Sequence, residues 1–291
     1  MTSVQANGIT IEYDVRGEGT PLLMIMGLSG QLIDWPEEFV DLFVEQGFQV
    51  IRFDNRDAGL STEFDWTPPN RRRALLDYVL RRRPQAGYTV EDMADDAAGL
   101  IDALGLSGAH VIGASMGGMI AQSLTIRHPD KVLSLTSIMS NVGDMKKGKI
   151  AGKLVPKMIK MGTPTRENAL DYFVETGRLI QGPHFDPEYA RESAAISVER
   201  SWRPEGTGRQ VTAIGASPDR TADLGSVTAP TLVIHGILDP LITFSGGEAT
   251  ASAIPGSRLL AFPDMAHDLP KVRWPEIVEA IADNTRRAIS V

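Results

Sequence analysis

Residues 109–118 read AHVIGASMGG, and MIAQSLTIRH follows at 119–128. An apolar run of strand character gives way, across a cluster of small residues, to a stretch of helical character. The cluster Gly113-Ala-Ser-Met-Gly117 has the form G-x-S-x-G. A serine held on such a sharp strand-to-helix turn projects its hydroxyl above a sheet, and the flanking glycines remove side chains that would collide there. Ser115 is therefore the candidate nucleophile, and the turn itself predicts a sheet with helices on its faces.

The pattern around this turn repeats that alternation. Residues 8–15 (GITIEYDV) alternate as a half-buried strand, while PLLMIM (21–26) and FQVIRFD (48–54) are continuous apolar runs of strands covered on both faces. PEEFVDLFVEQG (36–47) carries helix start and stop signals. Within 89–105, Val90, Met93, Ala97, Leu100, Ile101 and Leu104 recur three or four apart, one face of a helix ended by Gly105. Strands are expected again at 132–139, 230–236 and 257–263, and a last helix from Pro275 toward Ile289. Strands alternating with helices imply an α/β fold with a mostly parallel central sheet. Residues 141–224 break the rhythm with proline-interrupted helical segments. The expected organisation is thus a core in two parts, 1–140 and 225–291, interrupted by a helical cap or lid at 141–224.

A serine hydroxyl needs a base, and the base needs an orienting carboxylate. Of the five histidines, His267 lies in PDMAHDLP just after the last expected strand, where a loop returns toward Ser115. His235 and His110 sit in apolar strands and read as core histidines; His128 and His184 read as cap or surface residues. Asp239, three residues beyond the strand 230–236, lies between serine and histidine in chain order and is the candidate carboxylate, with Asp144 its competitor. Asp264 and Asp268 stand too near His267 in sequence to be aimed at its ring. Two backbone N–H groups are needed where oxyanion charge develops. The amide of Met116 follows from the turn, and that of Leu28, beyond Gly27, is the expected second.

Composition narrows the alternatives. The 291 residues carry a net charge of −8, against nucleic-acid binding, and contain no cysteine, which excludes disulfides and thiolate chemistry. The N-terminus lacks the pattern of a secretory leader and no apolar run approaches a membrane span, so a cytoplasmic protein is expected. No metal-ligand spacing or phosphate-binding glycine loop is present, so no cofactor is expected. The oligomeric state stays open, self-association included. RRRALLDYVLRRR (71–83) carries +5 against −13 for the remainder. It reads as a solvated helix or loop, with steering of an acidic substrate as the functional alternative.

These residues together resemble the α/β-hydrolase superfamily over nearly the whole chain. The order Ser115, Asp239, His267 matches that family, and FDNRDAGLS (53–61) resembles its D-x-R-G-x-G-x-S turn, with Asp57 in place of the first glycine. MGLSGQLIDWP, RFDNRDAGLS and MAHDLP most resemble the bacterial esterase branch that includes the anthracycline methylesterases. Met26-Gly27 stands where many relatives carry His-Gly, the histidine that braces the oxyanion loop. A serine at 115 separates the chain from dehalogenases and epoxide hydrolases, which resemble it but use aspartate. The resemblance implies a serine hydrolase acting on small-molecule carboxylic esters without a cofactor. Thioester hydrolysis, carbon–carbon bond hydrolysis and cofactor-free perhydrolysis share the same triad, and a ligand receptor on a hydrolase scaffold is the non-enzyme alternative.

Overall fold

The computed structural model describes residues 2–289 except 71, 72, 75, 78, 79 and 81. The reading of 71–83 as a solvated or steering segment therefore falls partly outside the described residues. Within it, Arg73 pairs with Asp77 at 2.9 Å, and Arg83 donates to the carbonyl of Ser217.

Eight strands form one sheet: β1 (Thr2–Ala6), β2 (Ile9–Arg16), β3 (Thr20–Ile25), β4 (Phe48–Phe53), β5 (Ala109–Ala114), β6 (Val132–Ile138), β7 (Thr231–Gly236) and β8 (Arg258–Phe262). Their order is β1-β2-β4-β3-β5-β6-β7-β8. The pairings of β1 with β2 and of β2 with β4 are antiparallel and the rest parallel. The apolar runs seen in the sequence are the central strands, and every residue of β5 and β7 is buried. β1 is an addition to the expected set. It is mostly exposed, so it has no apolar signature, and it is joined to β2 by Asn7 and Gly8, both at positive φ.

Alternate side chains of the central strands feed two cores. Leu22, Met24, Val50, Ile112 and Ile234 meet α1 (Glu37–Glu45) and α9 (Trp274–Ile289) through Phe39, Phe43, Ile277 and Ile281. Leu23, Ile25, Ile51, Val111 and Leu135 meet α2 (Val90–Ala103) and α3 (Met116–Arg127) through Met93, Leu100, Ile120 and Leu124. Each such side chain contributes roughly 1.5–3 kcal/mol by leaving water, and a one-residue slip in any central strand would exchange the two faces. α2 starts where its sequence says it should: the Asp92 carboxylate accepts the Thr89 amide at 2.7 Å, closing the first turn.

Between β6 and β7 come α4 (Val155–Met161), α5 (Ala169–Ile180), α6 (Pro187–Arg200) and α7 (Pro204–Ala216), and after β7 comes α8 (Ser245–Ala253). Among the described residues no helix is long and apolar enough to cross a membrane.

Candidate active site

β5 delivers Ser115 to the end of the parallel sheet and α3 starts at the next residue. The turn between them is tight enough that a methyl group on Gly113 would lie 2.1 Å from the carbonyl oxygen of Gly117. Ser115 itself has φ 57° and ψ −119°, a backbone conformation that costs a non-glycine residue about 1–3 kcal/mol. Its amide donates to the Ile138 carbonyl at 2.9 Å, and its carbonyl accepts the Ser140 hydroxyl at 2.8 Å. Strained backbone is thus held from both sides by β6 and the residues after it.

The turns after β7 and β8 bring two further groups to this serine. His267 Nε2 lies 3.0 Å from Ser115 Oγ, and His267 Nδ1 lies 2.8 Å from Asp239 Oδ2. The other oxygen of Asp239 accepts the amides of Leu241 and Ile242 at 2.8 and 2.9 Å. The Asp239 side chain is 0% exposed, so it meets the imidazole away from solvent. An acceptor at Nδ1 fixes the proton there and leaves the Nε2 lone pair facing the serine hydroxyl. The structure thus gathers the three expected residues, and leaves the competitor Asp144 elsewhere, with its carboxylate on the amide of Lys146.

The two aspartates beside His267 have structural attachments of their own. Asp268 accepts the amides of Ala266 and Gly182, and the His267 amide donates to the Ile180 carbonyl at 3.0 Å. The C-terminal end of α5 therefore fixes the backbone of the histidine loop. Asp264 pairs with Arg273 and with His184, and these partners hold its carboxyl down to about 2. His128 bonds Asp95, and buried His110 lies 2.8 Å from the Ser134 hydroxyl.

The loop after β3 passes directly over the serine, since a methyl group on Gly27 would lie 3.2 Å from Ser115 Cβ. Leu28 follows, and Met116 opens α3, whose first amides have no acceptor inside the helix. With methionine at 26, other groups brace this loop. The Asn55 side chain donates to the Met26 carbonyl at 3.0 Å, and Gln210 of α7 accepts the Ser29 amide at 2.7 Å while donating to the Arg56 carbonyl. Asn55 lies inside the FDNRDAGLS segment, whose pattern is a sequence signal for it. Gln210 has no local sequence signal.

Two further groups support the site. His235 Nε2 donates to the Ile242 carbonyl at 2.8 Å and lies 3.6 Å from Asp239 Oδ2, so this core histidine also borders the carboxylate. Burial pushes its pKa down, which keeps the ring neutral. Asp57, at φ 67°, occupies a left-handed position that favours glycine. Its carboxylate is held by Arg209 at 2.9 Å and by the Tyr88 hydroxyl at 2.6 Å, which anchors α7 to the sheet edge. Among the described residues no three His, Asp or Glu side chains are grouped as a metal ion would need.

Comparison with known proteins agrees with this geometry. Residues 20–158 match the model of the alpha/beta hydrolase fold. The rhodomycin D methylesterase DnrP of Streptomyces peucetius is 30% identical, over 92% of this chain and 91% of its own length. The chain belongs to the α/β-hydrolase family. The expected likeness to the anthracycline methylesterase branch is met by that same relative. A non-heme haloperoxidase of Rhodococcus erythropolis is 25% identical over 91% of each chain. The fold of an esterase from Exiguobacterium antarcticum superposes with a TM-score of 0.76 at 21% identity, covering 98% of this chain and 99% of that one.

Proposed function

We propose that this α/β hydrolase cleaves carboxylic esters through an acyl-enzyme on Ser115. The observation that carries the reading is the unbroken relay from Ser115 Oγ through His267 to buried Asp239, at 3.0 and 2.8 Å. The methylesterase relative supports the ester as the bond attacked.

In this reading His267 Nε2 takes the serine proton as Oγ adds to the ester carbonyl. The amides of Leu28 and Met116 receive the oxyanion; loss of one such donor costs roughly 2.7–4 kcal/mol in the barrier. Asp239 holds the imidazole in its reactive tautomer and stabilises the charge it acquires. His267 then gives its proton to the departing alcohol, and water repeats the sequence in reverse on the acyl group. No cofactor takes part in any of these steps. Residues 141–224 act as the cap over the serine, fixed to the catalytic loops through Gln210 and through the bond from His267 to Ile180.

A series of p-nitrophenyl esters of increasing acyl length tests the proposal. Turnover of at least one ester, lowered by about four orders of magnitude or more in Ser115→Ala, is expected. Full activity in Ser115→Ala, or no turnover of any ester by the native protein, would overturn it.

A further inference from the structure

The chain contains eight lysines, and six of them, Lys146, Lys147, Lys149, Lys153, Lys157 and Lys160, fall within fifteen residues that hold no aspartate or glutamate. All six are exposed, and none is paired with a described carboxylate. The two lysines outside this window are both paired, Lys131 with Asp102 and Lys271 with Glu38. Buried Arg52, Arg56 and Arg209 are bound to carboxylates, and buried Arg220 to the Asn141 carbonyl and the Gln122 side chain.

The lysine segment is not a loose loop. The Ala151 amide donates to the Pro240 carbonyl at 2.8 Å, Gly148 to the Ser245 hydroxyl at 3.1 Å, and Thr243 to the Lys149 carbonyl at 3.4 Å. It is therefore fastened to the loop that carries Asp239. Leu154 turns inward and is buried, while Lys153, Lys157 and Lys160 recur at helical spacing on the outer side. Ile159, beside Lys160, is 49% exposed. Lys157 and Lys160 are like charges three apart within α4, an arrangement that weakens a helix, and no described carboxylate pairs with either. Asp144, at the start of the segment, uses one carboxylate oxygen on the backbone of Lys146.

We infer that the segment 146–160 is a docking surface for an anionic lipid bilayer. Hydrated lysines flanking exposed Ile159 suit the headgroup region, where each contributes attraction to acidic lipids. Charge spread over fifteen residues suits an extended anionic surface more than a single small anion. The window has no aromatic residue on which nucleic-acid bases could stack. The remaining negative charge of the protein is screened beyond about 8 Å at physiological salt. Docking here would bring the Asp239 loop to the membrane surface, and the inference stands apart from the bond that is cleaved.

Co-sedimentation with vesicles of phosphatidylglycerol in phosphatidylcholine, against pure phosphatidylcholine, tests it on the full chain. Binding to the acidic vesicles should exceed binding to neutral ones by about tenfold or more and disappear at high salt. Replacing Lys146, Lys147, Lys153, Lys157 and Lys160 by glutamine should abolish the difference, and Ile159→Gln alone should weaken binding several-fold. Circular dichroism and hydrolysis of a soluble ester should be unchanged in both variants. Equal binding to the two vesicle types would overturn the inference. So would binding to poly-glutamate or RNA as tight as to acidic vesicles and insensitive to Ile159→Gln.

Discussion

Gln210, on α7, accepts the amide of Ser29 at 2.7 Å, joining residues 181 positions apart across the loop that carries Leu28. The same side chain donates to the Arg56 carbonyl at 2.8 Å, so its amide group cannot swing away without losing a second bond. Ser29 has φ 58°, a conformation the loop keeps only while it is held. Gln210→Leu should therefore let the Leu28 amide, the proposed oxyanion donor, drift. The expected result is a fall in kcat of about tenfold to a hundredfold with KM little changed, measured on a soluble ester. A change confined to KM would assign Gln210 to substrate binding instead.

Gly236, at the end of β7, lies against the loop that carries His267: a methyl group there would sit 2.3 Å from the Met265 carbonyl oxygen and 2.5 Å from that of Ala266. Backbone cannot yield as a side-chain tip can. Gly236→Ala should displace His267 and lower kcat by about a hundredfold or more. Native-like kcat in a folded Gly236→Ala protein would show that the loop tolerates the shift.

Asp57 and Arg209 are both buried and lie 2.9 Å apart. Replacing Asp57 by glycine relieves the left-handed backbone but leaves the Tyr88 hydroxyl without its acceptor and the buried guanidinium with only the more exposed carboxylates of Glu63 and Glu205. Removing one member of a fully buried pair costs up to about 3–5 kcal/mol; with Glu63 and Glu205 remaining the cost is at the lower end, still above the roughly 1–3 kcal/mol of strain returned. Urea unfolding of Asp57→Gly should show a net loss of stability; a net gain would mean that the pair contributes little.

Burial lowers the His110 pKa to about 4 from its ordinary 6.5. Between these two pH values the unfolded chain takes up a proton that the folded chain refuses, so stability falls as the pH falls through that window. The loss from His110 is on the order of 3 kcal/mol when complete, and His235, shifted in the same direction, adds to it. Thermal unfolding from pH 7 down to pH 4 should show a smaller loss in His110→Asn than in the native protein. Parallel curves would remove the histidine from the account.

The fold was legible because its signals are local. Continuous apolar runs marked β3, β4 and β5, the 3.6-residue stripe marked α2, and the glycines around Ser115 marked the turn. Asp239 and His267 could be placed because each follows a strand that ends on the same edge of the sheet. β1 was missed although Asn7-Gly8 is a strong hairpin signal, since TSVQA before it has too few apolar residues to read as a strand. The bracing by Gln210 could not be read at all: its bond depends on how α7 lies over the sheet, and no spacing in the sequence encodes that. The replacement of histidine by Met26 showed that some other brace was needed without saying which.

Covalent trapping tests Ser115 as the proposed nucleophile. Intact-protein and peptide mass spectrometry after treatment with a p-nitrophenyl phosphonate measures this directly. One phosphonyl group per chain is expected, on the peptide containing Ser115, absent in Ser115→Ala and greatly slowed in His267→Ala. Labelling at another residue, or equal labelling of Ser115→Ala, would contradict it.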